Sequence, residues 1–328
     1  MKIWYQTVKN HLSHLSKNDY PALNTFKFVS IWLGLVLDQS QTGMRCMFKR
    51  LNLRGESVDI STFSKASKKR DVMVFEEMIF SLKIELSKKT KLKQGELEIL
   101  PLDSTIISIT SKLMWNLVFH QVKLFSGIII HFGQGHDNKY GNETIAATPE
   151  NGVGVMNRGF CDLERAEKSQ KSNNKYHVLR IKNNIKLKKL DNGNYMVGTK
   201  KNKIESRVVT FVNDDSEFRL VTNLPVKNEE SEGVSDEDIA EIYKKRWQIE
   251  LFWKYLKMHL KLDKLVTKNK NVIKIQIYTF IIGYLILRLL EIPKKAGTSM
   301  LDKLRYLQAF MCEKISYVHW LKELVVTC

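Results

Sequence analysis

The sequence predicts an α/β fold, and three changes of texture along the chain predict it. Residues up to about Leu92 carry helical periodicity. From Leu97 to Pro225 the chain becomes rich in β-branched residues and turn signals. From Ser235 onward, long uninterrupted stretches return to helical spacing.

In the first part, helices are expected over Ile3–Leu15, Asn24–Leu37, Gly43–Leu51, Thr62–Lys69 and Val72–Ser87. Asp59, Ser61 and Thr62 supply caps for the stretch STFSKASKKRD. This short capped helix carries Lys65, Lys68, Lys69 and Arg70 and is bracketed by other helices. It resembles a helix-turn-helix DNA reader; a merely solvated basic helix end is the alternative.

LEILPLDSTIISIT reads as a strand with Asp103 in its middle. An acidic residue inside an apolar strand is expensive unless it is paired or binds metal. HQVKLFSG and IIIHFGQGHD read as two further strands joined at Ser126-Gly127. His131, His136 and Asp137 follow, but without the fixed helical spacing of a zinc motif. Gly152 to Met156 is a short buried strand, followed by Asn157-Arg158-Gly159-Phe160, with a helix from Phe160 onward. KYHVLRIKNN supplies the next strand, with Arg180 and Lys182. Strands near 185–190, 195–199, 205–212 and 217–223 are expected to form a small sheet, with turns at Asp191–Asn194 and Asn213–Ser216. Lys227–Glu232 reads as an exposed acidic linker.

SDEDIAEIYKKRWQIELFWKYLKMHLK, Ser235 to Lys261, reads as one long helix. Ser235 is its N-cap and Asp238 stands three residues on, close to a capping box. Asp236, Glu237 and Asp238 suit the helix dipole in the first turn. With Tyr243 at zero and about 100° per residue, Arg246, Glu250 and Lys257 fall near 300°, 340° and 320°. These groups share one narrow face. Ile242, Ile249, Trp253, Leu256 and Leu260 flank it on one side, and Trp247, Leu251 and Met258 on the other. Charges set between two apolar stripes point into a cleft; a surface ion-pair ladder, with Arg246 and Glu250 as i,i+4 neighbours, is the other reading. Beyond it, Lys264, Lys268 and Lys270 lie in a basic connection, where phosphate contact and solvation are both open. Asn271–Leu290 reads as a buried core helix; its apolar stretch Ile275–Leu290 is broken by Gln276 and Arg288 and is short of the ~20 residues needed to span a membrane. The tail from Ser299 to Val326 is amphipathic, with Tyr317 and Trp320 on its apolar side.

The net charge is +18 and the pI about 9.6 over 328 residues. Such a charge calls for a polyanionic partner, and its spread along the chain favours nucleic acid over a membrane surface. Cys46, Cys161, Cys312 and Cys328 have no paired spacing, which argues against a zinc site and a disulfide framework. No signal peptide is expected at MKIWYQTVKNHL.

Tyr243, Arg246, Glu250 and Lys257, with two, three and six residues between them, resemble the YREK signature of one group of bacterial insertion-sequence transposases. That group belongs to the DDE transposases, which fold like ribonuclease H. The resemblance extends along YKKRWQIELFWKYLKMHL and to Asp103 followed by Ser-Thr. It implies a ribonuclease H-like mixed sheet flanked by helices over residues 93–184 and 233–292. A helical end-binding module would occupy residues 1–92, a β-rich insertion 185–232, and a helical tail 293–328. It implies strand cleavage at transposon ends and transfer into target DNA. Asp103, position 157 and Glu250 would be the catalytic acids, and Asp103 and Glu250 would hold metal. The cofactor would be Mg²⁺, with Mn²⁺ as substitute, in a two-metal site. Tyr243, Arg246, Lys257 and Arg158 would contact DNA, as would Lys68, Lys69 and Arg70 in the helical module. The partners would be double-stranded DNA and, in the DNA complex, a second copy of the chain; no membrane is involved. A cytoplasmic, nucleoid-associated bacterial protein is expected. Trp247 and Trp253 are expected in the core, with stacking on an unstacked base as the alternative.

One departure stands out. Relatives carry an aspartate where this chain has Asn157, although Arg158, Gly159 and Phe160 match. Loss of that charge predicts weak metal binding and reduced cleavage. Asp162, five residues on, is the substitute ligand to consider. The competing readings are a non-catalytic DNA-binding remnant that occupies transposon ends, and a host ribonuclease H-like nuclease, which would not explain the YREK spacing.

Overall fold

The computed structural model describes residues 22–38, 44–53, 57–89, 98–110, 113–122, 127–133, 148, 150–171, 175–199, 202–227, 233–263, 265, 267 and 269–312. The chain divides into two compact units, Met1–Lys91 with Lys254–Cys328, and Leu92–Trp253. The expected helix Ile3–Leu15, the linker beyond Lys227, Lys264, Lys268, Tyr317 and Trp320 lie outside the described residues.

The first unit is helical. Helices α1 (Thr25–Leu37), α2 (Met44–Leu53), α3 (Ile60–Lys69) and α4 (Met73–Lys89) form where the apolar spacing expects them. The Asn24 side chain accepts from the Lys27 amide at 2.8 Å and caps α1. Asp59 accepts from the Ser61 and Thr62 amides and caps α3. Phe28, Trp32 and Phe48 meet Phe63 with ring centroids 5.2–5.4 Å apart, and Phe63 is fully buried. A long apolar helix at 270–289 packs on α1, α3 and α4. It has the length and hydropathy to cross a membrane, yet 89% of its most apolar window is buried inside the protein. It is the core helix of this unit.

Asn271, on the first turn of that helix, ties two distant segments together. Its amide nitrogen donates to the Ser67 and Arg70 carbonyls at 2.9 Å each, at the carboxyl end of α3. Asn271→Ala leaves both half-buried carbonyls without that donor. It is expected to cost about 1–2 kcal/mol, read as a lower urea midpoint with an unchanged slope.

The second unit is built on β1 (Glu98–Thr110), β2 (Leu113–Val122), β3 (Gly127–Gly133), β4 (Gly152–Met156) and β5 (Lys175–Arg180). Their spatial order is β3-β2-β1-β4-β5. β2 runs antiparallel to β1 and β3, and β4 runs parallel to β1 and β5. This is the ribonuclease H-like arrangement. β2 begins at Leu113, earlier than the expected start at His120. LMWNLVF is a nearly continuous apolar run, and such a run has no period to reveal a strand.

Strands β6 (Leu187–Lys189), β7 (Tyr195–Thr199), β8 (Asn202–Asn213) and β9 (Ser216–Thr222) match the expected β-rich segment. They do not make a separate sheet. β9 pairs with β5 through Val178↔Thr222 to Arg180↔Leu220, and β8, β7 and β6 extend the sheet outward. Asp214 and Asp215 both take positive φ, 45° and 58°, in the tight turn between β8 and β9. Gly193 at φ 84° serves the turn between β6 and β7.

After β4 the chain makes a 3-10 turn at Arg158–Phe160, and helix α5 (Leu163–Lys171) begins three residues later than Phe160. Asp162 sets that start, accepting from the Glu164 and Arg165 amides at 3.0 and 3.3 Å. The stretch read as one long helix is two, α6 (Asp236–Lys245) and α7 (Trp247–His259). At Arg246 the hydrogen-bond ladder tightens. The Arg246 amide donates to the Tyr243 carbonyl and the Ile249 amide to the Arg246 carbonyl, each at 3.0 Å. Helix α8 (Lys270–Leu289) is the core helix of the first unit, and α9 (Met300–Cys312) packs on it.

Candidate active site

β1 and β4 are parallel, with Pro101↔Val155 and Leu102↔Met156 in register. Carried one residue further, this register sets position 103 beside Asn157. β4 and β5 are parallel with Met156↔Leu179, so the same step sets Arg180 on the other side of Asn157. Asp103, Asn157 and Arg180 thus form one row at the level where β4 and β5 end, with Asp103 in the middle of the longer β1. Backbone alternation puts Asn157 and Arg180 on the face that carries Val153, Val155 and Val178. Those residues pack with Ile239, Ile242 and Tyr243 of α6. Asn157, Arg180 and α6 therefore share one side of the sheet. The side chain of Asp103 lies outside the described residues, as do that of His131 and all of His136 and Asp137.

Asn157 is half-buried and caps the 3-10 turn, its Oδ1 accepting from the Gly159 amide at 2.7 Å. Phe160, 1% exposed, anchors that turn in the core. Arg158 is exposed. Asp162 Oδ1 accepts from the Glu164 and Arg165 amides, and its Oδ2 lies 3.8 Å from Arg165 Nε. It serves as the cap of α5.

α6 is fixed at its start by two devices. Ser235 Oγ accepts from the Asp238 amide at 3.1 Å and donates to Asp238 Oδ2 at 2.9 Å. Arg207 on β8 donates through Nε to Asp236 Oδ1 at 3.1 Å and through Nη1 to the Val234 carbonyl at 2.9 Å. Sequence reasoning missed Arg207, because a strand arginine carries no local sign of a distant helix start.

From α6 a stack of rings and guanidinium groups leads back to the strand ends. Tyr243, 4% exposed, lies with its centroid 5.9 Å from Phe218 and 6.3 Å from Phe211. Arg180 Cζ sits 3.9 Å over the Phe218 ring. Arg246 Cζ lies 5.6 Å from the Tyr243 centroid, and Arg246 Nη2 donates to Glu250 Oε1 at 2.5 Å. The path Arg180, Phe218, Tyr243, Arg246, Glu250 connects the row to the glutamate through direct contacts. Of the two readings of the charged stripe, the ion pair is the one seen. Arg246 and Glu250 are an i,i+4 ion pair, and it is set into a wall, with the two side chains 9% and 32% exposed. The Tyr243 hydroxyl is buried with no hydrogen-bond partner among the described residues.

The flanking apolar stripes differ. Ile249, Trp253, Leu256 and Leu260 are buried, but Trp247, Leu251 and Met258 are 58%, 50% and 60% exposed. Trp253 meets the core expectation and Trp247 does not. Trp247 lies on the opposite side of α7 from the stripe that packs inward. Lys257 is half-buried on α7 beyond the unit boundary. In the helical unit, Lys65, Lys68 and Lys69 are exposed at the end of α3. Arg70 is turned inward, over the Phe28 ring at 4.6 Å and donating to the Leu23 carbonyl. Lys182 and Lys270 are exposed.

Residues 95–286 match the family described as Transposase DDE domain. The chain is 77% identical, over 97% of each chain, to a Synechocystis sp. protein named as a transposase for insertion sequence element IS4SA. It is 27% identical to a Geobacillus stearothermophilus protein named as a transposase for insertion sequence element IS5377, over 51% of this chain and 46% of that one.

Proposed function

The chain belongs to the DDE transposases of bacterial insertion sequences, and from that premise we propose how its residues divide the work on DNA. The protein is a DNA transposase, an enzyme of a family that uses divalent metal ions. Asp103, Asn157 and Glu250 are the catalytic positions, and the YREK group is its subgroup. The observation that supports this reading is the backbone row of positions 103, 157 and 180, with the contact path that runs from Arg180 to Glu250.

The donors fit a hard divalent cation in kind, because carboxylate and amide oxygens are its usual ligands. They fall one negative charge short, since Asn157 is neutral. Asp103 and Glu250 would hold Mg²⁺, with Mn²⁺ as substitute, at a two-ion site. Bound there, the ions would supply the Lewis acidity that makes water nucleophilic and screens the leaving oxygen. The chain's own residues do the rest. Arg246 positions Glu250 through their hydrogen bond. Arg180, Arg246 and Lys257 grip backbone phosphates, Arg with a planar fork and Lys as a point charge. Tyr243, 4% exposed with its hydroxyl enclosed, acts beneath the phosphate-binding surface, as the ring against which Arg246 lies. Arg158 and, in the helical module of residues 1–92, Lys68 and Lys69 add sequence-independent affinity. Arg70 acts there by packing. The remaining divisions are core at 93–184 and 233–292, insertion at 185–232 and tail at 293–328.

DNA ends and target are the substrates, a second copy joins in the DNA complex, and the site of action is the bacterial cytoplasm at the nucleoid. The neutral Asn157 makes cleavage by this copy slow. The second reading, a DNA-binding remnant that occupies ends without cutting, is favoured by Asn157 alone. Binding and nicking of a duplex carrying the DNA that flanks the gene tests both. Arg246→Ala and Lys257→Ala are each expected to weaken binding several-fold and to lower the salt slope by about one. Unchanged affinity and slope in both variants would remove these residues from the DNA contact.

A further inference from the structure

Glu250 is already engaged in the DNA-free protein. Arg246 Nη2 donates to its Oε1 at 2.5 Å, and the two side chains are 9% and 32% exposed. The guanidinium is the deeper partner, with its Cζ 5.6 Å from the centroid of the Tyr243 ring. A charge-assisted pair this short, and shielded from water on one side, is among the stronger bonds a carboxylate makes. An oxygen that accepts from a guanidinium is not fully available to a cation, and the positive charge beside it repels one.

The formal charges point the same way. The proposed site has two carboxylates, Asp103 and Glu250, and two guanidinium groups, Arg180 and Arg246. Position 157, which could tip the balance, is a neutral amide. These charges cancel, so a divalent cation approaching the DNA-free protein meets no net attraction. A phosphodiester changes this. Each one drawn to an arginine cancels a positive charge, and the site turns negative. Arg246 also stands at the joint between α6 and α7, where the ladder tightens to 3-10 spacing. Such an interruption within a helical stretch often marks a hinge, and here it falls on the residue whose side chain has to change partner.

We infer that the Arg246–Glu250 pair keeps the metal site closed in the DNA-free protein, and that a backbone phosphate opens it by taking over the guanidinium. The inference rests on the placement of the cation at Glu250 given above and adds its regulation. Arg246 serves the carboxylate before DNA arrives and the phosphate afterwards. Cation and DNA then tighten each other's binding by the same factor.

Mn²⁺ binding by the full chain tests it, read from the electron paramagnetic resonance signal of the free ion. Asn157→Asp is the parent, because a third carboxylate strengthens the site. Without DNA, Arg246→Gln is expected to tighten Mn²⁺ binding at least about tenfold, within the usual range of couplings between sites. Glutamine can still donate to Glu250 but carries no charge. Lys245→Gln, the same loss of charge at an exposed neighbour, should change it less than about twofold. The flanking-DNA duplex should tighten the parent by about the gain seen in Arg246→Gln, and Arg246→Gln by much less. DNA-free binding in Arg246→Gln that equals or falls below the parent's overturns the inference, since a merely supporting arginine gives that result. A duplex that binds without tightening Mn²⁺ overturns it too. If Arg246→Gln fails to fold, Arg180→Gln decides: a several-fold gain without DNA upholds the inference, and no gain overturns it. Glu250→Gln separates the inference from the reading beneath it. If Mn²⁺ binding ignores Glu250→Gln, the metal placement is wrong and the gate falls with it. If binding is lost in Glu250→Gln yet indifferent to Arg246→Gln, the placement stands and the gate alone falls.

Discussion

Asn157→Asp is expected to raise Mg²⁺-dependent strand cleavage by about 10²–10³-fold, the range associated with one preorganised electrostatic group in an active site. The substitution changes little else. Asp is as good a cap as Asn, so its oxygen can still accept from the Gly159 amide, which now lies 2.7 Å from Oδ1. The turn to Phe160 should survive and the variant should melt where the parent does. What changes is the charge in the row between Asp103 and Arg180. An oxyanion there binds a divalent cation far better than a neutral amide does. The measurement is a nicking time course on a duplex carrying the flanking DNA, with Mg²⁺ and then Mn²⁺, for both proteins. Glu250→Gln added to Asn157→Asp should erase the gain, because it removes the partner carboxylate. Equal rates for the native chain and Asn157→Asp would show that the charge at 157 does not limit cleavage.

Acid is expected to destabilise the protein through His177, by roughly 3 kcal/mol between pH 6.5 and pH 4. His177 lies on β5, on the face that carries Leu179. It is 1% exposed, and neither ring nitrogen has a hydrogen-bond partner among the described residues. Burial pushes its pKa down to about 4 from the ordinary 6.5. The folded state therefore holds the neutral ring, while the unfolded chain takes up a proton below pH 6.5. Stability is fully present above 6.5 and is lost as pH falls toward 4. His177→Leu removes the titration at little cost in hydrogen bonds, since the ring nitrogens have none to lose. Urea midpoints at pH 7 and pH 4.5 should separate by less in His177→Leu than in the native chain. Carboxylates titrate in both proteins, so the difference between them isolates the histidine. Equal separations would mean that the imidazole reaches water or a partner in the folded state.

Much of the proposed site was legible because its parts sit on strongly patterned segments. Asp103 interrupts a β-branched strand, Asn157 follows five apolar residues, and Glu250 lies in a helix with a clear cap at Ser235. What was not legible depends on pairing across the chain. Arg180 was visible only as a basic strand residue. Its place beside Asn157 follows from the β4–β5 register, and its perch on Phe218 follows from β9 closing against β5. The break at Arg246 has no Gly or Pro to mark it. The two apolar stripes of α7 look alike in periodicity, and only packing distinguishes buried Trp253 from exposed Trp247. Asp162 resembled a spare ligand until its amide partners showed a helix cap.

The continuity from β5 through β9 to β8 has a mechanical meaning. A segment spliced into a surface loop can melt or swing on its own, but one stitched edge to edge by backbone hydrogen bonds cannot. Residues 187–222 should gain and lose amide-exchange protection together with β4 and β5, as a single cooperative block. Arg207, reaching from that block to the beginning of α6, makes the helix that leads to Glu250 answer to the same block.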